Sequence, residues 1–205
     1  MRRLVPWIVG GALLLAGGVA PAQSLDPEDP PLGLPPVPVP ADNPITPAKV
    51  DLGEQLFNEQ RFSADGSISC ASCHQPDLAF TDGLAIAEGI DDKKGTRHTP
   101  TVVNAAFYEL QFWDGRRESL ETQALDPLVN PVEHGLESHD AVLEVVRNDA
   151  DYTKQFQQVF DVASADITMD HVIKAIAAFE RTQVSGNSPF DRYQYGGQED
   201  AISEP

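Results

Sequence analysis

The chain has 205 residues, with 32 acidic and 14 basic side chains, which gives a formal net charge of −18. This length fits one domain with a tail, and an apolar fraction of 41% can support a core. The negative charge argues against nucleic acid or an anionic membrane as the partner and favours cationic partners. Two cysteines are too few for a disulfide scaffold or a four-cysteine zinc site.

Residues 1–22 have the pattern of a secretory signal peptide. Arg2 and Arg3 precede an apolar run over 4–20, and the stretch ends in Ala20-Pro21-Ala22. A basic start, a short apolar run and small residues two apart are typical of a leader that is cleaved on export. We therefore expect a periplasmic protein that has lost residues 1–22; an uncleaved membrane anchor is the alternative.

Residues 23–47 are predicted to form a Pro-rich linker. Nine of the 22 residues from Asp26 to Pro47 are proline. Because proline fixes φ and removes a hydrogen-bond donor, we expect a semi-rigid, polyproline-like tether outside the core. A PxxP partner-binding motif is the alternative.

The first helix of the folded part is predicted directly after this linker. Thr46 and Pro47 suit the cap and the first turn of a helix, and Leu52, Leu56 and Phe57 supply its apolar face. Residues 61–100 show little periodicity and contain several glycines, which indicates a long loop with short turns. Loops of that length usually enclose something or serve a site.

Three more helices are predicted in the second half of the chain. They cover residues 141–148 with Asp140 as the cap, residues 152–160, and residues 168–184, where the apolar stripe is strongest. No alternating strand pattern reaches a comparable length. The sequence therefore predicts an all-α domain with a loop-rich first half.

The pentapeptide Cys70-Ala71-Ser72-Cys73-His74 has the CxxCH spacing of a c-type haem attachment site. Each thiol can add to one haem vinyl group, and two intervening residues bring both sulfurs to one edge of the porphyrin as the chain turns into a helix. His74 then lies under the iron as its proximal ligand. We predict one covalently attached haem c, held by Cys70 and Cys73.

Other uses of these cysteines are less consistent with the chain. A thioredoxin-type redox pair occurs in a βαβ setting, which this sequence does not predict. A zinc site would need two further Cys or His ligands at metal spacing.

The sixth iron ligand separates an electron carrier from an enzyme, since carriers fill this position with Met or His and peroxidatic sites leave it open. Met169 lies near the start of the strongest helix and is more typical of a core residue. His171 abuts an apolar stripe, and His139 lies near a helix start. His98 and His134, in loops, are the better candidates, but nothing in the sequence requires a second protein ligand.

A series of short stretches runs in order between Leu52 and Tyr195. They are Leu52-Gly53 with Leu56-Phe57, Arg61 to Cys70, Ala79 to Gly83, Arg97 to Thr101, Asn104 to Phe107, Gln111 to Arg116, Ser119 to Glu121 and Ser185 to Asp191. Together with the CxxCH motif they resemble the bacterial di-haem cytochrome c peroxidases and the related methylamine-utilisation haem enzymes. The resemblance covers the N-terminal domain of that family, which carries the peroxidatic haem, and implies a cytochrome c-like haem domain.

The resemblance also implies a distal pocket. The family uses a glutamine and a glutamate ten residues later, and Gln111 and Glu121 stand at that spacing. A carboxylate can take the proton from the inner oxygen of bound peroxide and give it to the outer one, and over an apolar porphyrin its pKa is expected to rise. Gln111 would orient peroxide without adding charge.

Three residues of this region have alternatives. Glu121 could instead be an exposed carboxylate at a helix start. Arg116 is assigned to a haem propionate or a structural contact, with a solvent-facing arginine as the alternative. Trp113 is more typical of a core residue than of an electron relay.

The sequence departs from the family pattern in two respects. The loop from Gly83 to Gly95 lacks the histidine with which several members close the peroxidatic iron, so we expect an open site unless His98 or His134 substitutes. Family enzymes also carry a second CxxCH in a C-terminal domain, and the two domains often share a calcium ion, whose ligands cannot be placed here. We expect the haem domain at 48–195 and the truncated start of a missing second domain at 196–205.

The sequence thus predicts an exported haem peroxidase domain that reduces hydrogen peroxide to water with electrons from a small cytochrome c or cupredoxin. A separate second haem domain or a homodimer would complete it. A mono-haem electron-transfer cytochrome is the first alternative. An oxidase acting on another protein, as the methylamine branch suggests, is the second.

Overall fold

The computed structural model describes residues 26–203, so the predicted leader at 1–22 lies outside the described residues. This part of the chain is helical, and its extended pairing is limited to isolated bridges such as Gln75 with Thr81. The helices are α1 (Pro47–Phe57), α2 (Cys70–Cys73), α3 (Leu120–Val129), α4 (Asp140–Asn148), α5 (Ala150–Phe160), α6 (Met169–Glu180) and α7 (Pro189–Gln194). The prediction of an all-α domain with long loops is confirmed. No helix within residues 26–203 is long and apolar enough to cross a membrane.

The helix boundaries follow from local capping. Thr46 caps α1 through its Oγ1, which accepts from the Lys49 amide at 3.3 Å, and Pro47 occupies the first turn. Helix α4 begins at Asp140 and its cap position is His139, so the predicted cap is one residue off. Helix α6 ends at Glu180, four residues before the predicted end.

Helices α1 and α6 form the centre of the domain. Helix α6 packs along α1, contacts α3 on another side, and α5 lies against α1. A Cβ at Gly53 would be 2.0 Å from the Ala175 carbonyl oxygen, so the glycine lets the two backbones approach closely. The buried side chains at this contact are Leu52, Leu56, Phe57, Val172, Ile176 and Phe179.

The loop region between α1 and α3 is anchored on the chain that follows α3. Phe62 and Ile90 are buried, and the Ile90 amide donates to the Glu133 carbonyl at 3.0 Å. The Ala64 amide donates to the carbonyl of His134 at 2.9 Å. These contacts hold the loop that carries α2 against the helical core, as expected for a loop region that serves a site.

The Pro-rich segment differs from the prediction of a tether outside the core. Val37 is 4% exposed and Asn43 is 1% exposed, and the Asn187 amide donates to the Leu32 carbonyl at 2.7 Å. Proline prevents a regular helix, but it does not prevent the residues between the prolines from being buried or their carbonyls from accepting hydrogen bonds. Residues of this segment are therefore part of the packed domain.

Candidate functional site

Helix α2 is a single turn that carries both cysteines. The Ser69 amide donates to the Ser72 hydroxyl at 3.0 Å and fixes the start of the turn. Cys70 and Cys73, three residues apart on this turn, face the same side, and both thiols are free and partly buried. The His74 amide donates to the Cys70 carbonyl at 2.9 Å. The structure thus brings together the three residues predicted to bind haem.

The ring of His74 is oriented by the backbone of the next turn. Its Nδ1 lies 3.0 Å from the Phe80 carbonyl oxygen, and its centroid lies 6.1 Å from that of Phe57. Ala79 and Phe80 both adopt positive φ, at 55° and 57°, and this tight turn presents the carbonyl to the ring. With its proton on Nδ1, the ring keeps the Nε2 lone pair for a metal.

Burial controls the protonation of all three groups. It lowers the pKa of His74, which favours the neutral, metal-binding imidazole. It raises the pKa of Cys70, as does the nearby Glu180, and it raises that of Cys73 to about 11. Reactive redox cysteines have a lowered pKa instead. The environment therefore argues against the thioredoxin-type alternative.

Two thiols on one helical turn, followed by an imidazole whose Nδ1 contacts the Phe80 carbonyl and whose neighbours include Phe57, fit a c-type haem. Within residues 26–203 no three or more His, Cys, Asp or Glu side chains cluster so that they could hold a metal ion.

Glu121 is the second residue of α3, which begins after its cap Ser119. Its side chain forms a two-pronged ion pair with Arg181, with Nη1–Oε1 at 2.6 Å and Nη2–Oε2 at 2.9 Å. The Asn43 amide nitrogen also donates to Oε1 at 2.8 Å. Arg181 is 4% exposed. Glu121 is thus a partly buried, paired carboxylate, unlike the exposed helix-start carboxylate of the alternative.

The charge state of Glu121 differs from the sequence-based expectation. Burial by itself raises the pKa of the carboxyl, but the hydrogen bonds from Arg181 and Asn43 outweigh it, and the pKa lies below its ordinary value. The expectation of a raised pKa counted burial and not these two donors, whose hydrogen bonds favour the charged form. Glu121 is ionised at neutral pH.

Gln111 and Arg181, the ion-pair partner of Glu121, line one cleft. Gln111 is 6% exposed, and its Nε2 donates to the Ala105 carbonyl at 3.2 Å. The cleft has a volume of about 380 Å³ and lies between the Pro38–Pro40 segment and the loop before α3. Glu121 is not among its lining residues, so the cleft relates the two predicted distal residues only through Arg181.

Arg116 lies at the surface among acidic side chains. Its Nη1 is 2.9 Å from Asp114 Oδ1, and its Nε is 3.4 Å from Asp126 Oδ2. The guanidinium stacks 3.4 Å from the ring centroid of Phe112. The side chain is 43% exposed, so its described contacts are those of a surface arginine.

The loop histidines have different surroundings. His98 is exposed, with its ring centroid 4.6 Å from that of Trp113. Trp113, which the sequence left unassigned, is 55% exposed and so does not lie in the core. His134 is 3% exposed, and its Nδ1 lies 2.9 Å from the Phe62 carbonyl oxygen.

Sequence reasoning missed the buried polar residues around Glu121. They are Asn43, Lys49, Glu180 and Arg181, each at most 6% exposed. One of them was detectable, because Glu180 stands four residues after Ile176 and seven after Ile173, on the apolar stripe of α6. A carboxyl at such a position indicates a buried polar site.

A model of the di-haem cytochrome c peroxidase family matches residues 47–200. The chain belongs to this family. It is 44% identical over 160 residues to the methylamine utilization protein MauG of Methylorubrum extorquens, covering 78% of this chain and 45% of that protein. It is also 44% identical over 183 residues to the cytochrome-c peroxidase IdrP1 of Denitromonas iodatirespirans, covering 86% of this chain and 47% of the relative.

A solved structure shares the fold. A MauG-like protein associated with microbial copper homeostasis superposes with a TM-score of 0.74 at 33% identity, over 89% of this chain and 51% of that chain. The chain spans about half the length of the relatives it matches. The resemblance inferred from the sequence is confirmed, and so is a c-type haem as the cofactor of the family.

Proposed function

We propose that this chain is a c-type haem peroxidase domain, which reduces hydrogen peroxide to water with electrons from a small cytochrome c or cupredoxin. Membership of the di-haem cytochrome c peroxidase family supports this function. The observation that carries it is the ion pair of Glu121 and Arg181, whose arginine lines a cleft with Gln111, within the domain that carries the CxxCH turn.

Cys70 and Cys73 would hold one haem through thioethers, and His74 would bind its iron through Nε2. When bound, the haem supplies an iron that passes electrons from the donor to peroxide. Burial keeps His74 neutral, and the Phe80 carbonyl keeps its ring in one orientation. A fixed, neutral imidazole is the form that a proximal ligand needs.

Glu121 moves the proton in this proposal. Because Arg181 and Asn43 hold its pKa low, the carboxylate is ready at neutral pH to take the proton from the inner peroxide oxygen. It then returns the proton to the outer oxygen, which leaves as water. Gln111 orients peroxide through its amide, and the cleft that it shares with Arg181 gives a small oxidant a way in.

The proposal also includes the compartment of the reaction and a second haem domain. The leader pattern over residues 1–22 supports export to the periplasm, where a c-type haem is attached. A second haem domain, as a separate chain or as part of a longer one, would give the second electron a fast route. The family resemblance also implies a calcium ion shared between the two domains.

Replacing Glu121 by Gln tests the proposal. The neutral amide keeps the shape but cannot accept a proton, so we expect unchanged haem content and a peroxidase kcat lower by about 100-fold or more. The measurement is the steady-state oxidation of a donor dye by peroxide, with the haem content taken from the absorption spectrum.

The matched control is Glu137→Gln, at an exposed position outside this cluster, which should keep the wild-type rate. An unchanged rate in Glu121→Gln would refute the role of Glu121. A ferric spectrum that shows two strong axial ligands in every redox state, with no turnover, would favour the electron-transfer cytochrome instead.

A further inference from the structure

Asn43 lies outside the family-matched residues, which begin at 47, yet it is one of the most buried polar residues of the domain. It is 1% exposed and belongs to the Pro-rich segment that precedes α1. A buried amide persists when its polar atoms are hydrogen-bonded, so its partners indicate why it is there.

The partners of Asn43 come from three helices. Its Nδ2 donates to Glu121 Oε1 of α3 at 2.8 Å and to the Lys174 carbonyl of α6 at 3.0 Å. Its Oδ1 accepts from Lys49 Nζ of α1 at 3.0 Å. Both donors and the acceptor of the amide are therefore used.

Lys49 completes the arrangement on the other side of Asn43. The residue is 5% exposed, and its Nζ also donates to the Pro44 carbonyl at 2.8 Å. Since Lys49 takes the amide oxygen, the amide nitrogen must face Glu121. The lysine thus fixes which way the Asn43 amide points.

We propose that Asn43, oriented by Lys49, is a positioning residue for the carboxylate of Glu121, so that the segment preceding α1 is part of the peroxidatic site. Asn43 and Arg181 together fix the plane of the carboxylate, with Oε1 shared between them and Oε2 bound by Arg181 alone. This leaves Oε2 as the less occupied oxygen. The proposal rests on the proposed function of Glu121.

Two positive side chains favour the ionised carboxylate: Arg181, which follows α6, and Lys49 of α1. At the edge of the cluster, Lys174 of α6 is paired with Asp42 of the N-terminal segment at 3.1 Å. Glu180 is the other carboxyl nearby, and burial raises its pKa to about 8, which keeps it largely neutral at pH 7. Loss of the Asn43 donor would therefore destabilise the ionised form of Glu121 relative to the protonated form, without changing the surrounding charges.

The test uses Asn43→Leu and Asn43→Asp in the haem-loaded protein. Leucine removes the donor with little change in volume; aspartate keeps the shape and the acceptor for Lys49 while placing a like charge against Glu121. Both changes should raise the pKa of Glu121. The acid limb of kcat/KM for peroxide should then move to higher pH by about one pH unit in each variant. Asp29→Asn, at an exposed position of the same N-terminal segment, is the control and should leave the limb in place.

A second readout does not depend on turnover. The carboxyl band of Glu121, obtained from the infrared difference between wild type and Glu121→Gln, should titrate below the ordinary range of glutamate in wild type and higher in Asn43→Asp. If the leucine variant does not fold, the aspartate variant and this titration still test whether Asn43 positions Glu121.

Folded Asn43 variants with an unchanged acid limb and an unchanged Glu121 titration would overturn the proposal. If instead Glu121→Gln retains full peroxidase rate while the Asn43 variants still move the infrared titration, the contact is confirmed and the proposed role of Glu121 fails. The two failures are therefore distinguishable.

Discussion

Glu121 and Glu180 lie in the same buried region and have opposite protonation behaviour. Glu121 receives hydrogen bonds from Arg181 and Asn43 and stays ionised. Glu180 is 6% exposed, and its Oε2 is buried without a hydrogen-bond partner in residues 26–203. Burial therefore raises the pKa of Glu180 to about 8. Two carboxyls with separated pKa values are a common feature of proton-transfer sites.

Glu180→Gln should stabilise the protein at alkaline pH. The pKa of this carboxyl rises from an ordinary value of 4.5 to about 8 on folding, so in wild type the unfolded state loses its proton first and stability falls as pH rises between these values. Glutamine removes this dependence. The gain in free energy of unfolding should be near zero at pH 5 and on the order of 3 kcal/mol at pH 8, measured by thermal or denaturant unfolding at both pH values.

The control for this prediction is Glu54→Gln, at an exposed position of α1, which should show no such pH-dependent gain. An equal change in stability at pH 5 and pH 8 for Glu180→Gln would contradict a buried, protonated carboxyl at this position.

At the scale of elements, the contact between α1 and α6 positions the haem-binding turn. Phe57, the last residue of α1, has its ring 5.1 Å from that of Phe179 on α6 and 6.1 Å from that of His74. The end of α6 also supplies Glu180, and Arg181 follows as its C-cap. The distance between the two helix backbones therefore determines how His74 is placed relative to Glu180 and Arg181.

Gly53→Ala tests this contact. Alanine favours a helix over glycine by about 1 kcal/mol, but its Cβ would lie 2.0 Å from the Ala175 carbonyl oxygen, so the helices must separate. We expect a net destabilisation of about 1–3 kcal/mol, typical of overpacking, with weaker peroxidase activity, measured by thermal unfolding and dye oxidation.

The matched control is Asp51→Ala, which adds helix propensity on the exposed face of α1. A stabilising effect of Gly53→Ala would show that the two helices can move apart without cost and that their close approach does not position the site.

At the scale of the whole molecule, the net charge bears on the electron donor that the proposed function requires. The net charge of −18 is distributed over a chain of 205 residues, so a cationic redox protein is attracted and an anionic one repelled. Salt screens this attraction over a Debye length of about 10 Å at 0.1 M.

Reduction by a cationic small cytochrome should therefore be sensitive to salt. We expect its second-order rate constant to fall about tenfold or more between low and physiological ionic strength, measured by stopped-flow absorbance of the haem. An uncharged dye donor is the control and should react at the same rate at low and at physiological ionic strength. A rate constant that rises with salt would show that the docking face is not acidic.

The parts of the protein that depend on short-range geometry were predictable. Thr46 and Pro47 mark the start of α1 because a cap needs only its own first turn. The CxxCH pentapeptide predicts its own arrangement, because three-residue spacing brings both thiols to one side of a helical turn wherever that turn lies. The strong stripe of α6 likewise predicted its buried face, although the helix ends four residues early.

The surroundings of Glu121 could be known only from the tertiary structure. The family resemblance of the sequence, which includes the spacing of Gln111 and Glu121, indicated which carboxylate to consider; the fold decided that its pKa is lowered. Its two hydrogen-bond partners stand 78 and 60 residues away along the chain, at Asn43 and Arg181. The same holds for the Pro-rich segment, whose composition predicts extended backbone but not the burial of Val37. Local patterns determine backbone geometry over a few residues, whereas a pKa or a buried contact depends on atoms that meet through space.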